Sequence, residues 1–235
     1  MKSNAVSSMS HPVGSASLVG VLLLIGIIAV CLAPAEQTMG AAQRVMYVHI
    51  AVAWLGLAGF VVVAGCGMGY LRQRNLWWDQ WSHAACEVGW VCSTLTLVTG
   101  SLWARAAWGT WWTWDPRLTT SFILWAFYGG NLILRSCLND AHRRARLGAV
   151  MAIIGVADVP LVVMATRWFR GVHPVSPAME PSMRYTLVAF VAGLTAMMVL
   201  LVIRRQTQLQ LEQRVALARV QMAGQHWTSS NDRKT

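Results

Sequence analysis

Charge is what this chain has least of. Only 12% of its 235 residues are Asp, Glu, Lys or Arg, and just 9 are acidic, whereas a soluble globular domain carries about a quarter charged residues. Together with 56% apolar residues and a mean hydropathy of +0.47, that deficit excludes an ordinary soluble domain and points to the bilayer. No C-x-x-C pair occurs among Cys31, Cys66, Cys86, Cys92 and Cys137. Its absence removes a disulfide framework, a zinc site and a redox dithiol, and the lack of C-x-x-C-H removes self-attachment of c-type haem. The five thiols read as small apolar packing groups. A P-loop is also missing, so any ATP-driven step belongs to another protein. No Ser/His/Asp or paired-carboxylate constellation suggests a classical enzyme. The net charge of +10 would suit nucleic acid, but nearly all of it lies in short connections between apolar segments, where it encodes membrane topology. No nucleic-acid partner is expected.

What is present is apolar length. A helix crosses the bilayer core with roughly 20 residues, and six stretches qualify, at about 18–34, 47–71, 84–103, 119–138, 149–166 and 185–203. The first resembles a signal peptide, but Ala33-Pro34-Ala35 is a poor cleavage site and the apolar run is full length, so it is read as a helix. The fold class expected is an all-α integral membrane protein, a single membrane domain of six transmembrane helices with no internal repeat. Lys and Arg counts orient it. With a cytoplasmic N-terminus, thirteen basic residues fall inside (Lys2, Arg72, Arg74, Arg135, Arg143, Arg144, Arg146, Arg204, Arg205, Arg214, Arg219, Arg233, Lys234) and six outside (Arg44, Arg105, Arg117, Arg167, Arg170, Arg184). Both termini are therefore expected in the cytoplasm, and each outer arginine becomes a candidate for work other than topology. Residues 204–225 read as a helical continuation of the last span, with disorder after about His226.

Between the third and fourth spans, the connection at 104–118 follows Trp103 and holds Trp108, Trp111, Trp112 and Trp114, punctuated by Gly109 and ended by Asp115-Pro116. Tryptophan collects at both membrane interfaces, and Trp77, Trp78 and Trp81 on the cytoplasmic side are left to that belt. The outer group is denser. On a helix, Trp108, Trp111 and Trp112 would share one face and make a flat apolar shelf along the membrane surface, suited to a rigid planar ligand. Spacing alone leaves ligand shelf and aromatic belt evenly matched.

Two histidines fall on the same outer side. His49 ends Arg44-Val45-Met46-Tyr47-Val48-His49, and His173 ends Trp168-Phe169-Arg170-Gly171-Val172-His173. Neutral imidazole is the commonest metal ligand and haem iron takes axial histidine, so the pair is able to grip one iron from opposite faces. Arg44 and Arg117 are placed to meet the haem propionates, because the planar guanidinium fork binds two carboxylate oxygens. Arg105 and Arg184 are read as plain interfacial charges. Glu87 and Asp158 are the acids in or near spans. An intramembrane carboxylate is a functional hypothesis by default, but Asp158 has no evident partner and ranks first as a protonated structural group. Pro160 predicts a helix break beside it.

Trp108–Thr119 reads W-G-T-W-W-T-W-D-P-R-L-T. With Arg44–His49 and the aromatic run into His173, it resembles the WWD motif of the haem-handling proteins of cytochrome c biogenesis, over about residues 44–205. The length is similar to that family's small six-span members rather than its larger ones. The resemblance implies a bacterial inner-membrane protein that binds non-covalent haem b facing the periplasm, with His49 and His173 as axial ligands. It implies Trp108–Asp115 as the haem loop, including Trp111, Trp112 and Trp114, and Arg44 and Arg117 beside the haem. It further implies delivery to a membrane-anchored periplasmic haem chaperone (maturation protein E), which carries the covalent attachment. The other implied partners are transporter subunits (maturation proteins A and B), the small membrane protein D, and membrane lipid. Pro116 and Pro174 depart from the pattern and bear on loop geometry. Two rival readings remain at this point. A b-type electron-transfer subunit would place histidines at mid-depth. A transporter or channel would need a polar path, for which Asp158 stands alone.

Overall fold

Long apolar runs dictate helices here, since a bilayer leaves no other partner for backbone amides. The computed structural model describes residues 12–34, 40, 42–169, 171, 173 and 179–231. They form seven helices: α1 (Pro12–Leu32), α2 (Gln43–Gln73), α3 (Leu76–Trp108), α4 (Pro116–Ser136), α5 (Ala141–Val156), α6 (Asp158–Trp168) and α7 (Pro181–Asn231). No β-strand occurs among the described residues. Among the described residues, five segments are long and apolar enough to cross a membrane, namely Gly14–Leu32, Gln43–Gln73, Leu76–Trp108, Ala141–Trp168 and Pro181–Ala223. The chain is thus a multi-pass helical membrane protein. The fourth expected span corresponds to α4, whose Arg117, Thr119, Thr120, Ser121, Asn131 and Arg135 keep it below that apolarity.

Local chemistry sets the helix ends. Asn75 caps α3 by accepting from the Trp77 amide at 2.9 Å, so the helix begins eight residues earlier than hydropathy suggests and takes in Trp77, Trp78 and Trp81. It ends at Gly109, whose φ of +75° is the left-handed conformation glycine adopts at little cost. Asp115 caps α4 by accepting from the Leu118 amide at 2.9 Å, and Pro116 at the first helical position loses no hydrogen bond there. The break foreseen at Pro160 is present: α5 stops at Val156 and α6 starts at Asp158. The last helix runs without interruption to Asn231, so the segment after His226 expected to be irregular is helical as far as Asn231.

Packing is closest between α2 and α3 and between α1 and α7. The central core sets Phe60 edge-to-face on Tyr128, ring centres 4.3 Å apart, and the Tyr128 hydroxyl donates to the Gly56 carbonyl at 2.8 Å. At the end of the bundle away from the Trp loop lies a buried ion pair. Arg135, 4% exposed, donates to Asp79 at 2.7 Å and to Asn131 at 2.9 Å, and Asn131 donates onward to the Gly148 carbonyl at 2.9 Å. Counting Arg135 as a loop charge that reports topology therefore needs correction, because its charge is neutralised inside the bundle. Glu87 likewise has partners that its sequence context hid, with Arg205 of α7 donating to it at 3.0 Å and His83 at 3.4 Å.

Candidate functional site

The Trp-loop end of the bundle holds a partly open cavity between α2, α3, α4 and α6. His49 and His173 both line it, as do Trp103, Trp108, Trp112 and Arg117. Its lining on α2 runs from His49 to Leu57, and on α3 from Trp108 down to Ser93. At 1.5 Å per residue, the cavity reaches roughly 12 Å into the bundle below His49. Leu57, Leu124 and Val162 make its deep end apolar.

His49 sits on α2 and leans on α3. Its Nδ1 lies 3.3 Å from the Thr99 hydroxyl, and the ring rests against Gly100, where a Cβ would come within 2.9 Å of Cε1. His173 arrives from the α6–α7 connection and meets the Trp108 ring edge-on, with ring centres 6.2 Å apart. Both imidazoles and Arg117 line the same cavity. Trp103 and Trp108 form an edge-to-face pair at 4.8 Å, which fixes the wall beside His173. Arg117 reaches the same cavity from the first turn of α4. A guanidinium stays charged in proteins, so a positive charge stands among the aromatic groups of the wall.

The loop itself is not the helical shelf expected from spacing. Helix α3 carries Trp108 and terminates at Gly109, so Trp111 and Trp112 lie beyond it and face different ways. Trp112 lines the cavity. Trp111 and Trp114 are 57% and 71% exposed, with Trp111 5.9 Å under the Arg105 guanidinium. Arg105 also donates to the Gly109 carbonyl, which gives this outer arginine a structural task at the helix end. Asp115 is the hinge of the site. One carboxylate oxygen caps α4, and the Gly171 backbone packs so closely that a Cβ there would sit 2.9 Å from the other, so the His173 segment rests on the WWD loop. Arg44, on the first turn of α2, is exposed and is not part of the cavity wall. Arg170 and Pro174 lie outside the described residues.

Several lining groups were not singled out from sequence: Trp103, Ser93, Thr96 and Ser121, with Thr99 behind His49. Their signal was a run of hydroxyls (Ser93, Thr94, Thr96, Thr99, Ser101) inside an apolar span. Trp103 is 8% exposed, and its indole nitrogen, like that of Trp112, is buried without a hydrogen-bond partner among the described residues. Unpaired buried donors are costly, and two on one cavity wall suit a ligand that carries acceptors. Imidazole nitrogen, aromatic walls, one cation and spare donors together match haem: iron, macrocycle and propionates respectively. Among the described residues no group of three or more His, Cys, Asp or Glu could hold a bare metal ion.

Comparison with known proteins agrees in kind. The sequence model of the family described as heme exporter protein C matches residues 3–221. The chain is 34% identical over 160 residues to heme exporter protein C of Bradyrhizobium diazoefficiens, covering 68% of this chain and 61% of that protein. It is 31% identical over 170 residues to heme exporter protein C of Escherichia coli K12, covering 67% and 68% respectively. A mitochondrial protein of Arabidopsis thaliana, named as cytochrome c biosynthesis ccmC-like, is 30% identical over 141 residues. The chain thus spans 61% of the length of the Bradyrhizobium relative. Since the family match runs from the N-terminal residues into the long last helix, the chain belongs to the family described as heme exporter protein C.

Proposed function

We propose that this protein holds haem b non-covalently at the outer face of the bacterial inner membrane and hands it to a periplasmic haem chaperone during assembly of c-type cytochromes. In this reading haem is cargo. His49 and His173 supply the two axial nitrogens, Trp103, Trp108 and Trp112 cover the macrocycle, and Arg117 meets a propionate from within the wall. Arg44, exposed five residues before His49, serves the outermost carboxylate. The chain crosses the membrane six times with both termini cytoplasmic, α4 being the fourth span and α5–α6 together the fifth. Covalent attachment takes place on the chaperone (maturation protein E), and energy for release comes from the ATP-driven subunits A and B with the small protein D.

The observation that carries this reading is the convergence of both histidines, three tryptophans and Arg117 on one cavity at one end of the bundle. Histidines at an edge favour transient presentation of haem over electron transfer across the bilayer. The test is direct. Purified wild-type protein should show a bis-histidine Soret spectrum, and His49→Ala and His173→Ala should each lose most of it and stop loading the chaperone. An unchanged spectrum with undiminished haem on the chaperone would falsify the ligand assignment.

A further inference from the structure

His49 is held by a hydroxyl whose own hydrogen is already committed. The Thr99 side chain donates to the Leu95 carbonyl one turn back at 2.6 Å, a common arrangement for threonine in membrane helices. A hydroxyl has one hydrogen and two lone pairs. With that hydrogen on Leu95, Thr99 can only accept from His49 Nδ1, 3.3 Å away. An imidazole that donates from Nδ1 keeps its lone pair on Nε2. Gly100 completes the seat, because a Cβ there would come within 2.9 Å of Cε1, so a larger residue would push the imidazole away from α3.

We propose that Thr99 is a positioning residue of the site: it fixes His49 in the Nδ1–H tautomer, with the Nε2 lone pair available to the cavity before any haem arrives. This rests on the reading of His49 as an axial ligand, but the tautomer itself belongs to the haem-free protein. Ligating histidines are commonly oriented in this way through their second nitrogen, and loss of such a partner costs roughly 10- to 100-fold in affinity for the metal group.

The experiment uses the full chain in nanodiscs, labelled with ¹⁵N-histidine and free of haem, at a pH where the ring is neutral. The His49 resonances are identified by their loss in His49→Gln. Wild type should show a protonated Nδ1 and a bare Nε2. Thr99→Val, which keeps the shape and removes the acceptor, should mix or reverse the tautomers, and Thr99→Ser should restore them. In parallel, haem titration should show affinity about tenfold or more weaker in Thr99→Val and recovered in Thr99→Ser. Identical tautomers in wild type and Thr99→Val overturn the proposal, as does a switched tautomer with undiminished haem affinity. If His49→Ala itself retains haem, the ligand assignment fails instead, and the haem-free spectra still decide what Thr99 does to the ring.

Discussion

The two ends of this bundle treat buried polar groups in opposite ways. Away from the Trp loop, Arg135 is saturated by Asp79 and Asn131, Asn131 reaches the Gly148 carbonyl, and Arg205 ties α7 to Glu87 on α3. At the Trp-loop end, Trp103, Trp112, Thr113 and Asp115 each leave a buried polar atom without a partner among the described residues. The contrast is one of degree, since Trp81 and Gln206 leave donors unpaired at the first end too. Even so, four such atoms fall within thirteen residues around a cavity. A native core rarely leaves buried polar atoms unpaired without a reason. One end spends its polar groups on holding helices together; under the proposed function, the other holds them in reserve for haem.

The largest expected effect breaks the first end. Arg135→Ala would strand the Asp79 carboxylate in a buried position, a lesion that costs about 3–5 kcal/mol in comparable pairs. Replacing both partners by apolar residues of similar volume, Asp79→Leu with Arg135→Met, should recover most of that loss. Denaturant titration in detergent measures both. Haem affinity of the folded fraction should be unchanged in either variant, and a parallel loss of haem would show that the two ends are not separable.

Next in size is Asp115→Ala. Loss of a helix N-cap costs about 0.5–2 kcal/mol, but this cap also sets where α4 starts and hence where Arg117 stands. Haem affinity should therefore fall by more than stability alone predicts, and Asp115→Asn, which keeps an acceptor at the cap, should restore most of the stability. Equal losses in both measures would reduce Asp115 to a structural cap. Gly109→Ala comes after it. A non-glycine residue at φ +75° is strained by about 1 kcal/mol, and thermal unfolding of the variant should report a shift of that order.

Each apolar stretch became helical because the bilayer demands apolar length, but hydropathy missed the helix ends and gave α5 and α6 as one stretch. Asn75 and Gly109 extend α3 by capping chemistry that a window of apolar residues does not weigh. The WWD loop and the two histidines were legible as residues. Their division of labour was not, since Gly109 ends the helix between Trp108 and Trp111 and so sends Trp112 inward and Trp111 outward. Arg135 was misread for a similar reason. A lone arginine at the end of a span looks like a topology marker until the Asp79 opposite it, 56 residues away in sequence, is brought into contact. Gly100 carries no signature in one dimension and Thr99 only its place in a run of hydroxyls, because a threonine in an apolar helix ordinarily bonds only to its own backbone.

The smallest expected effect is also the one that separates the two ends most cleanly. Trp112→Phe keeps an aromatic wall but deletes an indole N–H that is buried and unpaired. Removing an unsatisfied buried donor relieves a desolvation penalty of about 1–3 kcal/mol, less whatever packing the smaller ring gives up. The haem-free variant should therefore be as stable as wild type or slightly more so, while its haem affinity falls because a donor to the ligand is gone. Trp111→Phe, at an exposed position over Arg105, should move neither quantity by more than about 0.5–1 kcal/mol, the worth of an exposed cation–π contact. Unfolding midpoints with and without haem distinguish these cases. If Trp112→Phe destabilises the haem-free protein, its nitrogen is already satisfied there, and the unpaired groups of the Trp-loop end are not a reserve held for the ligand.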